Sequence, residues 1–306
     1  MLHLYTHAAC LQHDPGPGHA EQPARLHAVL RALDGDRFAA LDRLEAPRIT
    51  REQLLRVHAA AHIDHVLNSV PAEGRTQLDP DTWLSPDSAE AALRAAGAAC
   101  AAVDAVINGH TQRAFCAVRP PGHHATGAEA MGFCLFNNIA VAAAHALHAH
   151  GLKRVAIADF DVHHGNGTQA IFEREPRVLF VSSHQSPLYP GTGAEDEHGV
   201  GNIVNATLPA GAGSDEFREL WDGLLLPRMH AFKPQLVLVS AGFDAHRDDP
   251  LAQLRLGGED YAWITGRLVD LARAHAGGRL VSSLEGGYNL NALAASAAAH
   301  VGALLD

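Results

Sequence analysis

The order of apolar and polar residues along the chain predicts alternating strands and helices. Five short apolar runs, rich in β-branched residues, are predicted strands: residues 114–118, 154–161, 178–184, 235–241 and 279–284. Uninterrupted apolar runs of this length are typical of strands buried on both faces of a parallel sheet. The chain is therefore predicted to form one domain, residues 1–306, of the α/β class: a doubly wound, mainly parallel sheet with helices on both faces.

Helical periodicity fills the segments between these strands. It predicts helices at residues 54–67, 88–107, 138–150 and from Ser214 onward. Thr50 and Gln53 form a candidate capping box before the first of these helices. A glycine, which commonly ends a helix, lies shortly after the predicted helices at 88–107 and 138–150. Two acidic residues follow Ser214, at the positive end of the helix that begins there.

Composition narrows the class of partner and the cellular location. The 306 residues carry 23 Lys and Arg against 34 Asp and Glu, a net charge of −11, with 22 His and 4 Cys. Because duplex nucleic acid is recognised through clustered basic residues, we expect no direct nucleic-acid binding, whereas a cationic substrate suits the charge. No apolar run approaches the ~18 residues of a membrane span, and the N-terminus lacks a signal-peptide pattern. We expect a cytoplasmic protein with reduced cysteines that does not bind membranes; formation of a homo-oligomer stays open.

Candidate metal ligands follow two of the predicted strands. Alternate residues of a strand face the same side, so Asp159, Asp161 and His163 are expected to share one face. The alternative is that these residues form a polar edge facing solvent. The strand is apolar up to Asp159, which indicates burial, and three buried polar groups are costly unless they bind a partner. Asp244 ends another strand, and if the two strands are neighbours, it converges with Asp161 and His163. Two carboxylates and one imidazole leave a fourth position open, as in catalytic zinc sites.

Two further segments carry candidate catalytic side chains. His123 and His124 follow the Pro-Pro-Gly segment 120–122, a rigid turn from which both rings can reach one pocket. Paired histidines beside a metal suit general acid–base work, although such pairs are also common on protein surfaces. Tyr288 follows two glycines after the last predicted strand, so its hydroxyl could reach the same edge of the sheet and donate to an oxyanion.

These segments together resemble one protein family. The chain carries, in order, RPPGHHA at 119–125, MGFCLFNN at 131–138, DFDVHHGNGT at 159–168, SPLYPGTG at 186–193, AGFDAHRDDPL at 241–251 and LEGGYN at 284–289. They resemble the zinc-dependent histone deacetylase family, from HDPGPGHAEQPARL at 13–26 to the C-terminal helix. The Pro-Pro-Gly turn and Asn166 resemble the class II branch and its bacterial histone deacetylase-like amidohydrolase relatives.

The resemblance implies an arginase/deacetylase-like fold and a role for each matched residue. It implies one catalytic Zn²⁺ bound by Asp161, His163 and Asp244. It implies a catalytic set made of His123, His124, Asp159, Asn166 and Tyr288. Within this set Asp159 would support His123, Asn166 would lie near His124, and Tyr288 would polarise the scissile carbonyl.

A substrate tunnel and a second ion are also implied by the resemblance. The implied tunnel residues are Gly132, Phe133, Tyr189 and Leu251, with Arg25 at the foot of an internal channel. A structural K⁺ is implied at Asp159, Asp161, His163, Ser182 and Ser183. Where this chain has Tyr189 the family commonly has Phe, so stacking is retained and a polar hydroxyl is added.

The implied reaction is hydrolysis of an amide by metal-activated water, removing acetyl or other acyl groups from Nε-acyl-lysine in a peptide. The alternative substrate is an acetylated polyamine or another small N-acyl amine. Such a substrate gains from an acidic residue at the tunnel rim; Leu251 there favours acyl-lysine, while Asp248 and Asp249 nearby leave the choice open. An arginase-type two-manganese enzyme is disfavoured because segment 163–165 adds no carboxylate. A non-catalytic acetyl-lysine binder is disfavoured because every catalytic position is filled.

Overall fold

The computed structural model describes residues 2–306. The strands are β1 Leu2–Thr6, β2 Leu41–Glu45, β3 Thr76–Asp79, β4 Thr82–Leu84, β5 Arg113–Cys116, β6 Val155–Asp159, β7 Val178–Gln185, β8 Ile203–Leu208, β9 Leu236–Ala241 and β10 Leu280–Leu284. The α-helices are α1 Pro23–Ala32, α2 Arg51–Leu54, α3 Ala60–Asn68, α4 Ser88–Ile107, α5 Asn138–His148, α6 Asn166–Phe172, α7 Ser214–Leu220, α8 Leu226–Phe232, α9 Gly258–His275 and α10 Leu290–Leu305. A π-helical turn, Trp221–Leu225, joins α7 to α8.

One sheet organises the molecule. Eight strands lie in the order β2-β1-β5-β10-β9-β6-β7-β8, and every neighbouring pair is parallel. Strands β3 and β4 form a separate antiparallel hairpin. The predicted α/β class with a parallel, helix-covered sheet is confirmed. Because all eight strands run the same way, the loops after β5, β6, β9 and β10 meet at one edge, where α/β proteins bind their ligands.

The five predicted strands form the middle of this sheet. Strands β5, β10, β9, β6 and β7 are adjacent, and all their residues are buried. Burial on both faces explains their uninterrupted apolar sequences. Strands β1, β2 and β8 flank this block and were not predicted. The edge strand β2 shows why, because only its first residue is buried and its remaining residues include three charged side chains.

The predicted helix over residues 54–67 is wrong in its extent. The chain forms two shorter helices, α2 and α3, separated by residues 55–59. The capping box itself is confirmed: Thr50 Oγ1 accepts from the Gln53 amide at 3.2 Å, and Gln53 Oε1 accepts from the Thr50 amide at 2.9 Å.

Contacts of His58 with a distant loop account for the break between α2 and α3. Its buried ring accepts from the Asn137 amide at 2.9 Å through Nε2 and contacts the Thr126 carbonyl at 2.9 Å through Nδ1. The Ala59 amide donates to the Gly127 carbonyl at 2.7 Å. The His58 amide still donates to the Leu54 carbonyl, but the Ala59 amide has left the helical i→i−4 ladder, and periodicity along the sequence cannot reveal this.

The other helix predictions agree closely with the structure. Helix α4 spans the predicted residues, α7 begins at Ser214, and α5 begins at Asn138 but ends at His148. Gly109 and Gly151 adopt φ values of 78° and 66° just beyond α4 and α5, the left-handed conformation that ends many helices. Within residues 2–306 no helix is both long and apolar enough to cross a bilayer.

A neutral histidine is buried where α9, α10 and the sheet meet. His300 is wholly buried between two hydroxyls, 2.6 Å from Thr265 Oγ1 through Nδ1 and 2.8 Å from Ser282 Oγ through Nε2. Thr265 Oγ1 donates to the Tyr261 carbonyl at 2.6 Å, so it accepts from His300 Nδ1–H. Burial lowers the pKa of His300 to about 3, so the ring stays neutral in the folded protein.

We predict that His300 makes the folded protein more sensitive to acid. Its folded pKa lies below the unfolded value near 6.5, so its contribution is present above pH 6.5 and is lost as pH falls towards 3. Between pH 7 and pH 5 the wild type should lose about 2 kcal/mol of unfolding free energy relative to His300→Gln. Urea unfolding at both pH values measures this difference. His148→Gln, at an exposed histidine of α5, should show no such difference, and identical pH slopes for wild type and His300→Gln would contradict the assignment.

Candidate active site

Strand β6 leads directly into the first group of site residues. The strand ends at Asp159, two residues before the predicted end, and residues 161–163 form a bend. The Asp161 amide donates to Asp159 Oδ1 at 3.1 Å, and the His163 amide donates to Asp161 Oδ1 at 2.9 Å. Phe160 and Val162 are buried in the hydrophobic core between them. The strand thus stops and the chain bends at residues 161–163, and these two hydrogen bonds keep the three polar side chains together.

The predicted neighbour strand supplies the third candidate ligand. Strands β6 and β9 pair in parallel, with Asp159 opposite Ser240, so the loop after β9 brings Asp244 beside the loop after β6. His163 Nδ1 lies 3.1 Å from both Asp161 Oδ1 and Asp244 Oδ2. One ligand atom from each of these three residues lies within 4.8 Å of the other two.

The chemistry of this cluster fits a divalent metal. Asp161 and Asp244 are wholly buried, and among residues 2–306 no Lys or Arg lies within 4.0 Å of either carboxylate. Burial by itself lowers the pKa of His163, but the two carboxylates outweigh burial and raise this pKa to about 10. The cluster therefore attracts positive charge strongly. Two carboxylate oxygens and one imidazole nitrogen are a donor set that Zn²⁺ accepts.

Two glycines allow the backbone to pass directly beside these carboxylates. A Cβ on Gly286 would lie 1.9 Å from Asp244 Oδ2, and one on Gly242 would lie 1.9 Å from Asp161 Oδ2. The Gly286 amide donates to Asp161 Oδ2 at 2.8 Å, so the close approach also supplies a hydrogen bond. Any side chain at either position would displace the candidate metal ligands.

The tandem histidines have different partners. His123 Nδ1 lies 2.9 Å from Asp159 Oδ2, and the rings of His123 and His124 have centroids 4.0 Å apart. Burial lowers the pKa of His123, but the carboxylates of Asp159 and Asp161 outweigh burial and raise this pKa well above its usual value. The contact with Asp159 therefore favours the protonated form of His123.

His124 is held in the opposite state. Burial lowers its pKa well below the usual value, and the charged forms of His123 and His163 lower it further. His124 Nδ1 lies 2.7 Å from Asn166 Oδ1, which can only accept, so Nδ1 carries the hydrogen. The Asn166 amide nitrogen is directed to Met131 Sδ at 3.3 Å. Nε2 of His124 consequently has its lone pair free.

A cavity of about 210 Å³ opens above these groups. It is lined by Asp81, His124, Gly132, Phe133, His163, Leu188, Tyr189, Leu251 and Tyr288. All four predicted tunnel residues are among them, together with three of the predicted metal and catalytic residues. Aromatic rings form much of the wall: Phe133 is 5.8 Å from Tyr288, and His124 is 5.2 Å from Tyr189, between centroids.

Asp81, a residue of the β3–β4 turn, was not among the predicted site residues. Gly132 and Phe133 adopt φ values of 57° and 68°, and a Cβ on Gly132 would lie 2.4 Å from the His124 ring. The amides of this strained pair donate to Asp81 Oδ1 and Thr82 Oγ1, each at 3.0 Å. The small hairpin therefore fixes one wall of the cavity, a role that depends on a contact across 51 positions of sequence.

Buried Arg25 lies directly behind Tyr288. Its guanidinium lies 4.8 Å from the centre of the Tyr288 ring and donates to the Gly287 carbonyl at 2.6 Å. Asp249 accepts from the Tyr288 amide at 2.7 Å and from the Leu251 amide at 3.0 Å. Burial raises the pKa of Tyr288 well above its usual value, and the nearby Arg25 charge only partly opposes this, so the phenol remains a neutral donor.

The two serines of the implied potassium site, Ser182 and Ser183, are consecutive residues of β7 and point to opposite faces of the sheet. Ser182 is opposite Asp159 in the β6–β7 register, and its hydroxyl lies 3.0 Å from His184 Nδ1. Ser183 is the next residue along the strand, and its hydroxyl accepts from Trp221 Nε1 at 3.0 Å. The structure thus places Asp159 and Ser182 together, and the K⁺ site stays a prediction.

Glu285 belongs to a predicted motif but was given no role. Its wholly buried carboxylate accepts from the amides of Gly122 and His123, at 2.6 and 3.2 Å, and from Ser240 Oγ at 3.1 Å. Burial raises the pKa of Glu285 to about 7, although the charge of His123 opposes this. Glu285 therefore anchors the turn that carries both histidines to the end of β10.

A buried cluster of carboxylates and imidazole, with paired histidines, at the carboxyl edge of a parallel sheet is an arrangement found in metal-dependent hydrolases. Comparison with known proteins gives the family: the histone deacetylase domain matches residues 19–304. The chain belongs to the histone deacetylase family, as the sequence motifs predicted.

Individual relatives agree with this assignment. The chain is 42% identical to the histone deacetylase-like amidohydrolase of Pseudomonas aeruginosa, over 89% of this chain and 73% of that one. It is 39% identical to a probable deacetylase of Archaeoglobus fulgidus, over 94% and 81% respectively. The crystal structure of the HDA15 HD domain superposes with a TM-score of 0.93 at 38% identity, covering 99% of this chain and 88% of that one. The chain spans only 20% of the type-2 histone deacetylase 2 of Dictyostelium discoideum, to which it is 37% identical.

We predict that Glu285→Ala destabilises the fold more than Glu285→Gln. Alanine leaves two buried amides without an acceptor, at a cost of about 1–3 kcal/mol each, whereas glutamine retains one acceptor oxygen. Urea unfolding of both variants measures the loss. Glu259→Ala, at an exposed carboxylate, is the control and should change stability by less than ~0.5 kcal/mol. Equal stability of Glu285→Ala and wild type would show that these hydrogen bonds do not anchor the turn.

Proposed function

We propose that this protein is a zinc-dependent deacetylase that removes acetyl or other acyl groups from Nε-acyl-lysine in peptides. The observation that carries the proposal is the convergence of Asp161, His163 and Asp244 with His124 and Tyr288 around one aromatic-walled cavity. A narrow apolar cavity suits an extended acyl-lysine side chain, and the polar groups at its floor suit an amide.

The residues divide the chemistry of amide hydrolysis among them. Asp161, His163 and Asp244 would hold the zinc ion, which when bound lowers the pKa of water and polarises a carbonyl. His124 takes the proton of the attacking water at Nε2, because its Nδ1–H is engaged by Asn166.

The remaining groups act by position and charge. The neutral phenol of Tyr288 donates to the developing oxyanion from the cavity wall, and Arg25 packs behind its ring. Protonated His123, held by Asp159, adds positive charge next to the reaction centre and can supply the proton for the leaving amine.

An acetylated polyamine or other small N-acyl amine is the second candidate substrate. Asp81 supports this candidate. Its carboxylate lines the same cavity as Leu251 and would attract the distal ammonium group of a polyamine. Asp248 and Asp249 support it less: Asp248 is an exposed partner of His246, and Asp249 is occupied by backbone amides.

The proposal extends to the second ion and to the protein's surroundings. A K⁺ held near Asp159 and Ser182, with Asp161, His163 and Ser183 contributing, would reduce the repulsion among buried carboxylates. We further propose that the protein is cytoplasmic and binds neither nucleic acid nor membranes directly. Formation of a homo-oligomer stays open. The negative charge supports the expectation on nucleic acid.

We predict that Asp161→Ala, His163→Ala and Asp244→Ala each lose bound zinc and deacetylase activity together. Dialysis against metal-free buffer leaves only tightly held zinc, which elemental analysis counts, and an acetyl-lysine peptide reports hydrolysis. Asp248→Ala is the matched control, since it removes a nearby exposed carboxylate and should retain both. Stoichiometric zinc in Asp244→Ala would contradict the ligand assignment, and a zinc-loaded wild type that hydrolyses neither substrate class would contradict the function.

We predict that Leu251→Glu shifts preference towards acetylated polyamines. A carboxylate at the cavity rim would pair with the distal ammonium of such a substrate and would not help a neutral acyl-lysine peptide. The measurement is the ratio of kcat/KM values for the two substrates, with Leu251→Gln as the uncharged control. An unchanged ratio in Leu251→Glu would show that residue 251 does not contact the far end of the substrate.

A further inference from the structure

A second group of metal-ligating side chains lies away from the active site. Asp104 is near the end of α4, His145 is in the last turn of α5, and His150 follows α5 by two residues. His145 Nε2 and His150 Nε2 each lie 2.7 Å from Asp104 Oδ1. All three ligand atoms lie within 4.8 Å of one another, as in the candidate active-site metal cluster. We call these residues the Asp-His-His cluster.

The position of the cluster favours a cation. In a parallel α/β sheet the helices run opposite to the strands, so the carboxyl ends of α4 and α5 lie at the amino edge of the sheet, away from the active site. Both helices end beside the cluster, and helix carboxyl termini carry partial negative charge. The side chains of Asp104 and His150 are 46% and 17% exposed, so an ion can reach them from solvent.

We propose that the Asp-His-His cluster is a second metal-ion site, selective for Zn²⁺ or a similar borderline dication. Two imidazole nitrogens and one carboxylate oxygen form a three-ligand set with a position left for water. Calcium and magnesium bind through oxygen ligands and would be poor occupants of this set.

Arg56 controls whether His145 can bind the ion. Arg56 Nη1 donates to His145 Nδ1 at 2.8 Å, which keeps the ring proton on Nε2, the nitrogen that faces Asp104. Coordination through Nε2 requires this proton to move to Nδ1, where it would oppose the Arg56 donor. Arg56 must therefore turn away on binding, towards Glu52, whose carboxylate lies 3.4 Å from its Nη2.

Replacing Arg56 distinguishes a metal site from a cluster that is held together only by hydrogen bonds. In Arg56→Gln the side-chain oxygen can accept from His145 Nδ1–H, so the metal-binding tautomer is favoured instead of opposed. Such a change in the partner of a ligand should strengthen zinc binding by about tenfold or more. The effect is specific to an imidazole that coordinates through Nε2.

The experiment is equilibrium dialysis of the full chain against zinc at buffered free concentrations, with zinc counted per chain. Wild type should approach about two zinc ions, Asp161→Ala and His150→Ala about one each, and their double variant none. His148→Ala, at an exposed histidine of the same helix, should behave as wild type. Arg56→Gln should fill the second site at a lower free zinc concentration.

Two results would overturn the proposal. One is a wild-type count of about one zinc ion per chain at every free zinc concentration below that which precipitates the protein. The other is a second zinc ion that persists in His150→Ala. An unchanged second binding constant in Arg56→Gln would also overturn it. Since the first and second ions are removed by different variants, the count at the Asp-His-His cluster is independent of whether the chain deacetylates lysine.

Discussion

Four carboxylates lie buried at one edge of the sheet, and their charge determines how the surrounding loops are built. Asp159, Asp161, Asp244 and Glu285 are each wholly buried, where ionised groups are costly unless paired. Burial raises the pKa of Asp159 to about 6 and that of Glu285 to about 7. The fold must therefore surround these groups with donors and positive charge, and the candidate active site is the result.

The surrounding donors come largely from the backbone, and this explains the glycine-rich motifs. Gly122 and Gly286 each donate an amide to a buried carboxylate, at 2.6 and 2.8 Å. Neither glycine has room for a Cβ. A Cβ on Gly286 would lie 1.9 Å from Asp244 Oδ2, and one on Gly122 would lie 2.5 Å from the Asn138 amide nitrogen. Imidazoles supply the positive charge. His123 faces Asp159, His163 faces Asp161 and Asp244, and in the absence of a metal these carboxylates raise the pKa of both rings. A divalent ion would supply the same positive charge in place of these protons.

The sequence predicted those parts of the fold and site that have a local signal. Central strands show uninterrupted apolar runs, and the alternation at Asp159, Asp161 and His163 indicates a shared face within five residues. Strand β2 gave no such signal, because its exposed positions carry charged residues. The break at His58, the Asp81 contact with the Gly132 turn and the anchoring by Glu285 each join residues distant in sequence. Contacts of that kind depend on the assembled sheet, and neither periodicity nor the residues of a single motif reveal the partner.

Two of the four buried carboxylates, Asp161 and Asp244, are proposed to form a metal site with His163 at the floor of the cavity. Anomalous diffraction from crystals of the purified protein, recorded on both sides of the zinc absorption edge, tests it most directly. We expect a peak bounded by Asp161, His163 and Asp244, about 2.0–2.2 Å from each ligand atom and open towards the cavity. Crystals grown with zinc present that show no anomalous peak between these three residues would contradict it.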